Sequence, residues 1–296
     1  MEMAPGTSRR IYKIILVHLP RGHSTFTGIK QQKGHGLMDY GLIGEKLGHS
    51  YSKEIHEMLT DYTYDIHPLS KEEFKGFMEK HEFKAINVTI PYKRDVIPFL
   101  YEMDDNAKAI GAVNTIVNKD GKLYGHNTDF SGFMYMLNKH GINPSGKKCV
   151  VLGDGGASKA VVAVLKKMGA ANIVIVDIIK TETAITYDEC FAKHTDADII
   201  VNTSPVGMYP KCDASPVDLQ KFPKCQAVAD VIYNPLETRL AAQAKELGMA
   251  GVNGLEMLVA QALYAAEFFL ETKLDEAKID EVYQKIYNDK LKETNS

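Results

Sequence analysis

The 296-residue chain carries little net charge, no long apolar run and few cysteines, and each shortage excludes something. A formal charge of only -3 removes the electrostatic footprint of a protein built for nucleic acid or for an anionic membrane. No apolar stretch approaches the roughly 20 residues needed to cross a bilayer. The four cysteines, Cys149, Cys190, Cys212 and Cys225, lie far apart, and no C-x-x-C pair occurs. That spacing offers neither a zinc site nor a disulfide framework and points to a reducing, cytoplasmic setting with no metal. Internal repeats and low-complexity tracts are also missing. What is present, 45% apolar and 25% charged, is the balance of a folded globular protein with room for one large domain or two ordinary ones.

Residues 1–38 carry Gly, Ser, His and Gln without a sustained period and read as an extension outside the fold. Within them Ile11 to Leu19 follows Arg9 and Arg10, as the apolar part of a signal peptide would. Lys13 and His18 interrupt that run, and no small-residue cleavage site follows.

The pattern predicts a strand from Asp39 to Gly44, a helix over Ser52–Thr60 and a strand over Ala85–Ile90 stopped by Pro91. A helix over Val96–Met103 and a strand over Ala112–Val117 are expected next. Asn118-Lys119-Asp120-Gly121 then reads as a hairpin turn into Leu123–Gly125. Residues 130–140 form an amphipathic helix ended by Gly141 and Pro144. From Lys148 the rhythm changes. Strands at Lys148–Leu152, Ala171–Val176, Asp198–Thr203 and Ala227–Val231 alternate with helical segments to Met168 and over Glu237–Leu247. Such alternation predicts an α/β fold with a parallel sheet. Helices over 257–270 and 274–291 close the chain.

Directly after the first of those strands comes Gly153-Asp154-Gly155-Gly156-Ala157-Ser158. A glycine turn between strand and helix lets backbone amides approach a pyrophosphate at the helix N-terminus. The alternative is a tight turn without a ligand. Asp177 ends the next strand, where a carboxylate holds a ribose 2′-hydroxyl and repels a 2′-phosphate, which favours NAD(H) over NADP(H). The alternative there is a simple turn cap.

Polar motifs punctuate the rest. They are GHSYS at Gly48–Ser52, NVTIPYK at Asn87–Lys93, IGAVNT at Ile110–Thr115 and GHNTDFSG at Gly125–Gly132. VLGDGGASKA at Val151–Ala160, NTSPVGM at Asn202–Met208, DVIYNP at Asp230–Pro235 and GLEMLVAQA at Gly254–Ala262 complete them. In this order and spacing the chain resembles the shikimate dehydrogenase family, which includes quinate/shikimate dehydrogenases, over residues 39–270. The resemblance implies reversible reduction of 3-dehydroshikimate to shikimate in chorismate and aromatic amino-acid biosynthesis, with NADP(H). It implies a substrate-binding domain of residues 39–128 plus 258–296 and a Rossmann-like dinucleotide-binding domain of 129–257. A monomer or a homodimer fits equally.

The residues themselves support such chemistry. Ketone reduction leaves a developing alkoxide that needs a proton donor. Lys93 can supply it, with Asp129 orienting the ammonium; the resemblance implies this catalytic pair, and without it Lys93 reads as a surface lysine. Ser50 and Ser52 suit a substrate carboxylate, or else cap a helix. Thr89, Asn114 and Gln261 suit ring hydroxyls, and Asn127 and Thr128 brace the loop at Asp129. Tyr233 matches a substrate-contacting tyrosine of the family, or is a core aromatic. The resemblance places Thr203, Met208, Gly254 and Met257 near the nicotinamide.

Three departures from the family pattern stand out. Lys46 and Lys53 occupy positions usually held by proline, which would loosen that loop. Lys159 replaces an arginine and loses its planar fork. After Val176 the family's Asn-Arg-Thr is absent, and the segment beyond Asp177 has hardly room for a crossover helix, which needs roughly ten residues or more. That shortage leaves open a non-catalytic homologue that binds shikimate without a nucleotide.

Overall fold

The computed structural model describes residues 38–48 and 50–294. The expected extension lies outside these as far as residue 37, and so does His49 of the first motif.

The described chain opens with β1 (Met38–Gly44), α1 (Ser52–Leu59), β2 (Asp65–Pro68), α2 (Lys71–Lys80) and β3 (Phe83–Val88). Two helical crossovers lay β2 and β3 parallel on either side of β1. Helix α2 starts at a capping box, in which Ser70 and Glu73 satisfy each other's backbone N–H. The helix expected over Val96–Met103 does not form. Pro98 sits within it, and the chain makes one 3-10 turn (Ile97–Phe99) before extending into β4 (Glu102–Met103). After α3 (Asp105–Ile110), β5 (Thr115–Lys119) and β6 (Lys122–His126) form the expected hairpin. Asp120 and Gly121 hold φ of 52° and 81° at its turn, the sign its two central positions require. The first sheet runs β2-β1-β3-β5-β6-β4.

Helix α4 (Thr128–Lys139) leads to a second sheet built from β7 (Lys148–Leu152), α5 (Gly156–Lys167), β8 (Asn172–Asp177), β9 (Ala184–Thr186) and α6 (Tyr187–Lys193). β10 (Ile199–Asn202), β11 (Ala227–Asp230), α7 (Arg239–Glu246) and β12 (Ala250–Val252) complete it. All its pairings are parallel, in the order β12-β11-β10-β7-β8-β9. The chain winds outward from β7 in one direction and then returns to wind in the other from β10. This is the doubly wound nucleotide-binding topology, and its switch point lies between β7 and β10.

The shortage of chain after Asp177 is real. Residues 178–183 alone join β8 to β9, with no helix. Hydroxyl ties replace helix packing: Thr181 and Thr183 both donate to the Asp154 carboxylate, at 3.1 and 2.7 Å.

Helix α8 (Leu255–Leu270) joins the two halves, and α9 (Ala277–Thr294) follows it. One side of α8 meets Ile55 and Leu59 of α1 and Ile279, Val282 and Ile286 of α9. Its other side meets α4, so it is apolar nearly all round, as a helix enclosed on several sides must be. The α4–α8 approach is close: a Cβ on Gly132 would lie 2.7 Å from Met257 O and 2.9 Å from Gln261 Cβ.

Asp230 closes β11 in a fully buried position. It accepts from Asn202 Nδ2 at 3.1 Å, Ile232 N at 3.0 Å and Thr238 Oγ1 at 2.7 Å. It thereby fastens together the segments that follow β10 and β11. Burial pushes its carboxyl up to about 6, against the lowering effect of those bonds. Among the described residues no helix is long and apolar enough to cross a membrane.

Two outcomes follow. Gly132→Ala gains about 1 kcal/mol of helix propensity but forces α4 off a backbone carbonyl, at a cost of about 1–3 kcal/mol. Thermal denaturation should show a lower Tm; an unchanged or raised Tm contradicts the close approach. For Asp230 the folded state holds its proton more tightly than the unfolded chain. Its contribution is therefore most favourable below pH 4 and declines by about 3 kcal/mol as pH rises through 6. The Tm of Asp230→Asn should gain on that of the parent by several degrees between pH 4.5 and 7.5, and a constant difference refutes the assignment.

Candidate active site

The turn after β3 carries Lys93. Thr89 N bonds Ile43 O of β1 at 2.9 Å, and Tyr92 N bonds Thr89 O at 2.9 Å. Tyr92 is buried and donates its hydroxyl to Leu69 O at 2.7 Å. The lysine backbone is held from the other side by Val113 N, 2.8 Å from Lys93 O. Opposite it, Asn127 caps α4 through Phe130 N and ties back to Ala112 O, at 3.3 and 2.9 Å. This braces the first turn of α4, where Asp129 stands. Lys93 Nζ and Asp129 Oδ2 meet at 2.5 Å, with side chains only 21% and 14% exposed.

Asn114 governs the carboxylate. Thr128 N donates to Asn114 Oδ1 at 2.7 Å, and a backbone N–H can only donate, so the amide orientation is decided. Its Nδ2 then donates to Asp129 Oδ1 at 3.0 Å and to Thr128 Oγ1 at 3.1 Å. Behind it Asn87 donates to Asn114 O at 3.2 Å and Thr115 Oγ1 at 3.0 Å, and accepts from Tyr64 Oη at 2.7 Å. The Tyr64 ring stacks on His56, whose imidazole burial pushes down to about 3 and keeps neutral. Every link of this wall is buried.

The pair opens into a cavity of about 330 Å³ that gathers residues from both halves. Ser50, Ser52, Thr89, Lys93, Asn114, Asp129 and Gln261 line it together with Ala157, Val231, Tyr233, Gly254 and Met257. The two serines bond each other at 3.0 Å, and Ser50 Oγ also accepts from Ser52 N, the first N–H of α1, at 3.2 Å, although the N-cap residue is Tyr51. Gln261 faces the cavity half-buried, with Nε2 on Leu258 O at 3.0 Å and Oε1 3.4 Å from Thr128 Oγ1. Tyr233 lies edge-on to Tyr51, ring centroids 5.8 Å apart, and burial pushes its phenol up. Asn87, Lys46, Leu42, Leu47 and Leu258 also line the cavity, and the sequence names none of them as a site residue; Lys46 stands out there only as a replacement for proline.

Beside this cavity the glycine turn occupies the switch point. Gly153 (φ 102°) approaches the chain after β10, so that an added Cβ would lie 3.0 Å from both Ser204 N and Thr203 Oγ1. Thr203 donates to Leu152 O and Gly153 O at 2.9 and 3.2 Å. Gly155 and Gly156 face open space, Ser158 Oγ is buried without a partner, and α5 begins without a side-chain cap. An uncapped helix start, an orphaned hydroxyl and bare backbone suit a pyrophosphate. Asp177 closes the turn, its Oδ2 accepting from Asp154 N at 2.7 Å and Oδ1 from Ile178 N at 2.6 Å. Asp177 and Thr203 thus belong to the glycine turn rather than to the cavity lining, and Met208, 46% exposed, belongs to neither group. No group of three or more His, Cys, Asp or Glu among the described residues is arranged to hold a metal ion.

Residues 42–116 match the family model described as the shikimate dehydrogenase substrate binding domain. A Clostridium beijerinckii protein named shikimate dehydrogenase (NADP(+)) is 40% identical over 84% of this chain and 98% of its own length. A solved chorismate mutase/shikimate 5-dehydrogenase fusion protein from Clostridium acetobutylicum superposes with a TM-score of 0.80 at 37% identity, over 86% of this chain and 98% of that one. Shikimate 5-dehydrogenase from Thermus thermophilus, solved with NADP(H) and shikimate, gives 0.76 at 27% identity, over 84% and 99%. With a relative so similar matched over nearly its whole length, this chain belongs to the shikimate dehydrogenase family.

Proposed function

We propose that the chain interconverts 3-dehydroshikimate and shikimate with a nicotinamide cofactor, on the route to chorismate and the aromatic amino acids. The observation that carries this is the 2.5 Å Lys93–Asp129 pair in a cavity shared with Ala157, Val231 and Gly254 beside the glycine turn. Residues 39–128 with 258–296 serve as the substrate-binding part, and 129–257 as the nucleotide-binding part.

When bound, the cofactor supplies a hydride to the carbonyl carbon. The carbonyl oxygen gathers charge as that bond forms, and Lys93 Nζ gives it a proton. Asp129 holds the ammonium in place, and Asn114 holds Asp129. Positioned proton transfer of this kind contributes about 10²- to 10⁴-fold in rate. Ser50 and Ser52 hold the substrate carboxylate, while Thr89, Gln261 and Tyr233 read ring hydroxyls. Asn114 serves a ring hydroxyl only by sharing Nδ2 with Asp129, so its first task is orientation. Gly153, Gly155, Gly156, Ala157 and Ser158 take the pyrophosphate, and Thr203, Met208, Gly254 and Met257 the nicotinamide side. The persistence of the ion pair and of the uncapped glycine turn weighs against a non-catalytic binding protein.

The names of the relatives support NADP(H). A second reading, an NAD(H)-dependent quinate/shikimate dehydrogenase, is favoured by the end of β8. There Asp177 and Asp154 place two carboxylates, and Lys180, the one cation of segment 178–183, is taken by Glu189 at 2.5 Å. A 2′-phosphate would meet repulsion at that point.

Lys93→Ala should keep the parent's circular dichroism spectrum and lose at least about 100-fold in kcat for shikimate oxidation; near-parental turnover removes the catalytic assignment. For the second reading, Asp177→Asn should move the ratio of kcat/KM values for NADP(+) and NAD(+) about tenfold toward NADP(+). If the ratio stays put, Asp177 does not read the ribose. Absence of quinate oxidation with either cofactor eliminates the quinate activity.

A further inference from the structure

We infer that Lys46 is a substrate-recognition residue, the cation that neutralises the carboxylate of a small monoanionic ligand and makes the cavity prefer acids to neutral polyols. The inference rests on the proposed activity and adds a determinant of its specificity. Three charged side chains line the cavity among the described residues: Lys46, Lys93 and Asp129. Lys93 and Asp129 are paired with each other and cancel. That leaves a net charge of +1, and it resides on Lys46. No ion pair or hydrogen bond to another described residue engages its ammonium. A singly charged acid is the complement of such a site, and an uncharged polyol is not.

The placement suits this task. Lys46 and Ser50 lie in the loop between β1 and α1, and Ser52 is the first residue of α1, so one short segment would supply both the hydroxyl donors and the counter-charge. Serine hydroxyls alone leave a carboxylate uncompensated in a half-enclosed space, whereas an added cation makes its hydrogen bonds charge-assisted. Proline, usual at this position in the family, supplies no charge. The root of the loop, at Gly44 and Glu45, is hydrogen-bonded to its neighbours. Glu45 N bonds Ile90 O at 3.2 Å, Leu69 N bonds Gly44 O at 2.8 Å, and a Cβ on Gly44 would lie 2.6 Å from Thr89 Cγ2. Binding therefore has to order the lysine side chain but not its backbone root. Because Lys46 is exposed, the effect is expected to be moderate and salt-sensitive.

The test is steady-state kinetics on the full chain with Lys46→Met and Lys46→Arg, using shikimate, shikimate methyl ester and the oxidised cofactor. The methionine variant should raise KM for shikimate about three- to fivefold. It should leave kcat and the cofactor KM within about twofold, flatten the rise of shikimate KM with salt, and lose the parent's preference for the acid over the ester. Arginine should restore most of the difference. An unchanged shikimate KM, a parallel rise in the cofactor KM, or no rescue by arginine overturns the inference; a parallel rise would place Lys46 at the nucleotide instead. A parent that turns over no shikimate sinks the dehydrogenase reading rather than this one. Calorimetric titration with shikimate then decides Lys46 directly, weaker binding by the methionine variant supporting it and equal binding overturning it.

Discussion

A lysine ammonium and an aspartate carboxylate, both largely withdrawn from water, are tolerable only as a pair with their remaining hydrogen bonds satisfied. Lys93 and Asp129 pair with each other, and the second carboxylate oxygen is held by Asn114, whose amide cannot turn over because Thr128 N occupies its oxygen. The polar wall behind the pair follows from the same demand. Asn87, Thr115 and Tyr64 are buried polar groups that would each be costly alone, and each finds its partner in the next. The ion pair and the fold therefore share one network: the side chains that orient the Lys93–Asp129 pair also fasten β3 to β5 and to α4.

The second constraint is topological. A doubly wound parallel sheet leaves a crevice where its winding reverses, and here that crevice receives Gly153 from one side and Thr203–Ser204 from the other. Asp230 fastens the neighbouring segments, so the loops that carry Val231 and Tyr233 into the cavity are tied to those beside the glycine turn. Helix α8 then brings Gly254, Met257 and Gln261 to the same space while its flank closes over α4.

Much of this was legible from local signals. The Asn-Lys-Asp-Gly turn, the alternation after Lys148, the glycine turn and the missing crossover helix after Asp177 each leave a mark within a few residues. Strands β2, β9 and β12 were not legible, because three or four residues carry too little period to stand out from a loop. The capping box at Ser70 and Glu73 is a local signal for α2, and Pro98 argues locally against a helix at Val96–Met103. Asn87 and Lys46 are a different matter. Their surroundings are made by β1, β3 and β5 lying side by side, a relation between distant segments that no window of sequence contains. Asn114 was seen as a reader of hydroxyls, but its bond to Asp129 appears only once the hairpin and α4 are placed.

Among the described residues the chain passes between its two sheets just twice, entering the second through α4 and leaving it into α8. All of β7 through β12 lies within residues 148–252, whereas Lys93, Asp129 and the amide wall lie before residue 130. The nucleotide sheet is therefore a cassette. Exchanging it between relatives would carry the glycine turn, Ala157, Val231 and Tyr233 along, and would leave the recipient's Lys93–Asp129 pair and its amide wall in place. Such an arrangement lets evolution retune the redox partner without reopening the chemistry.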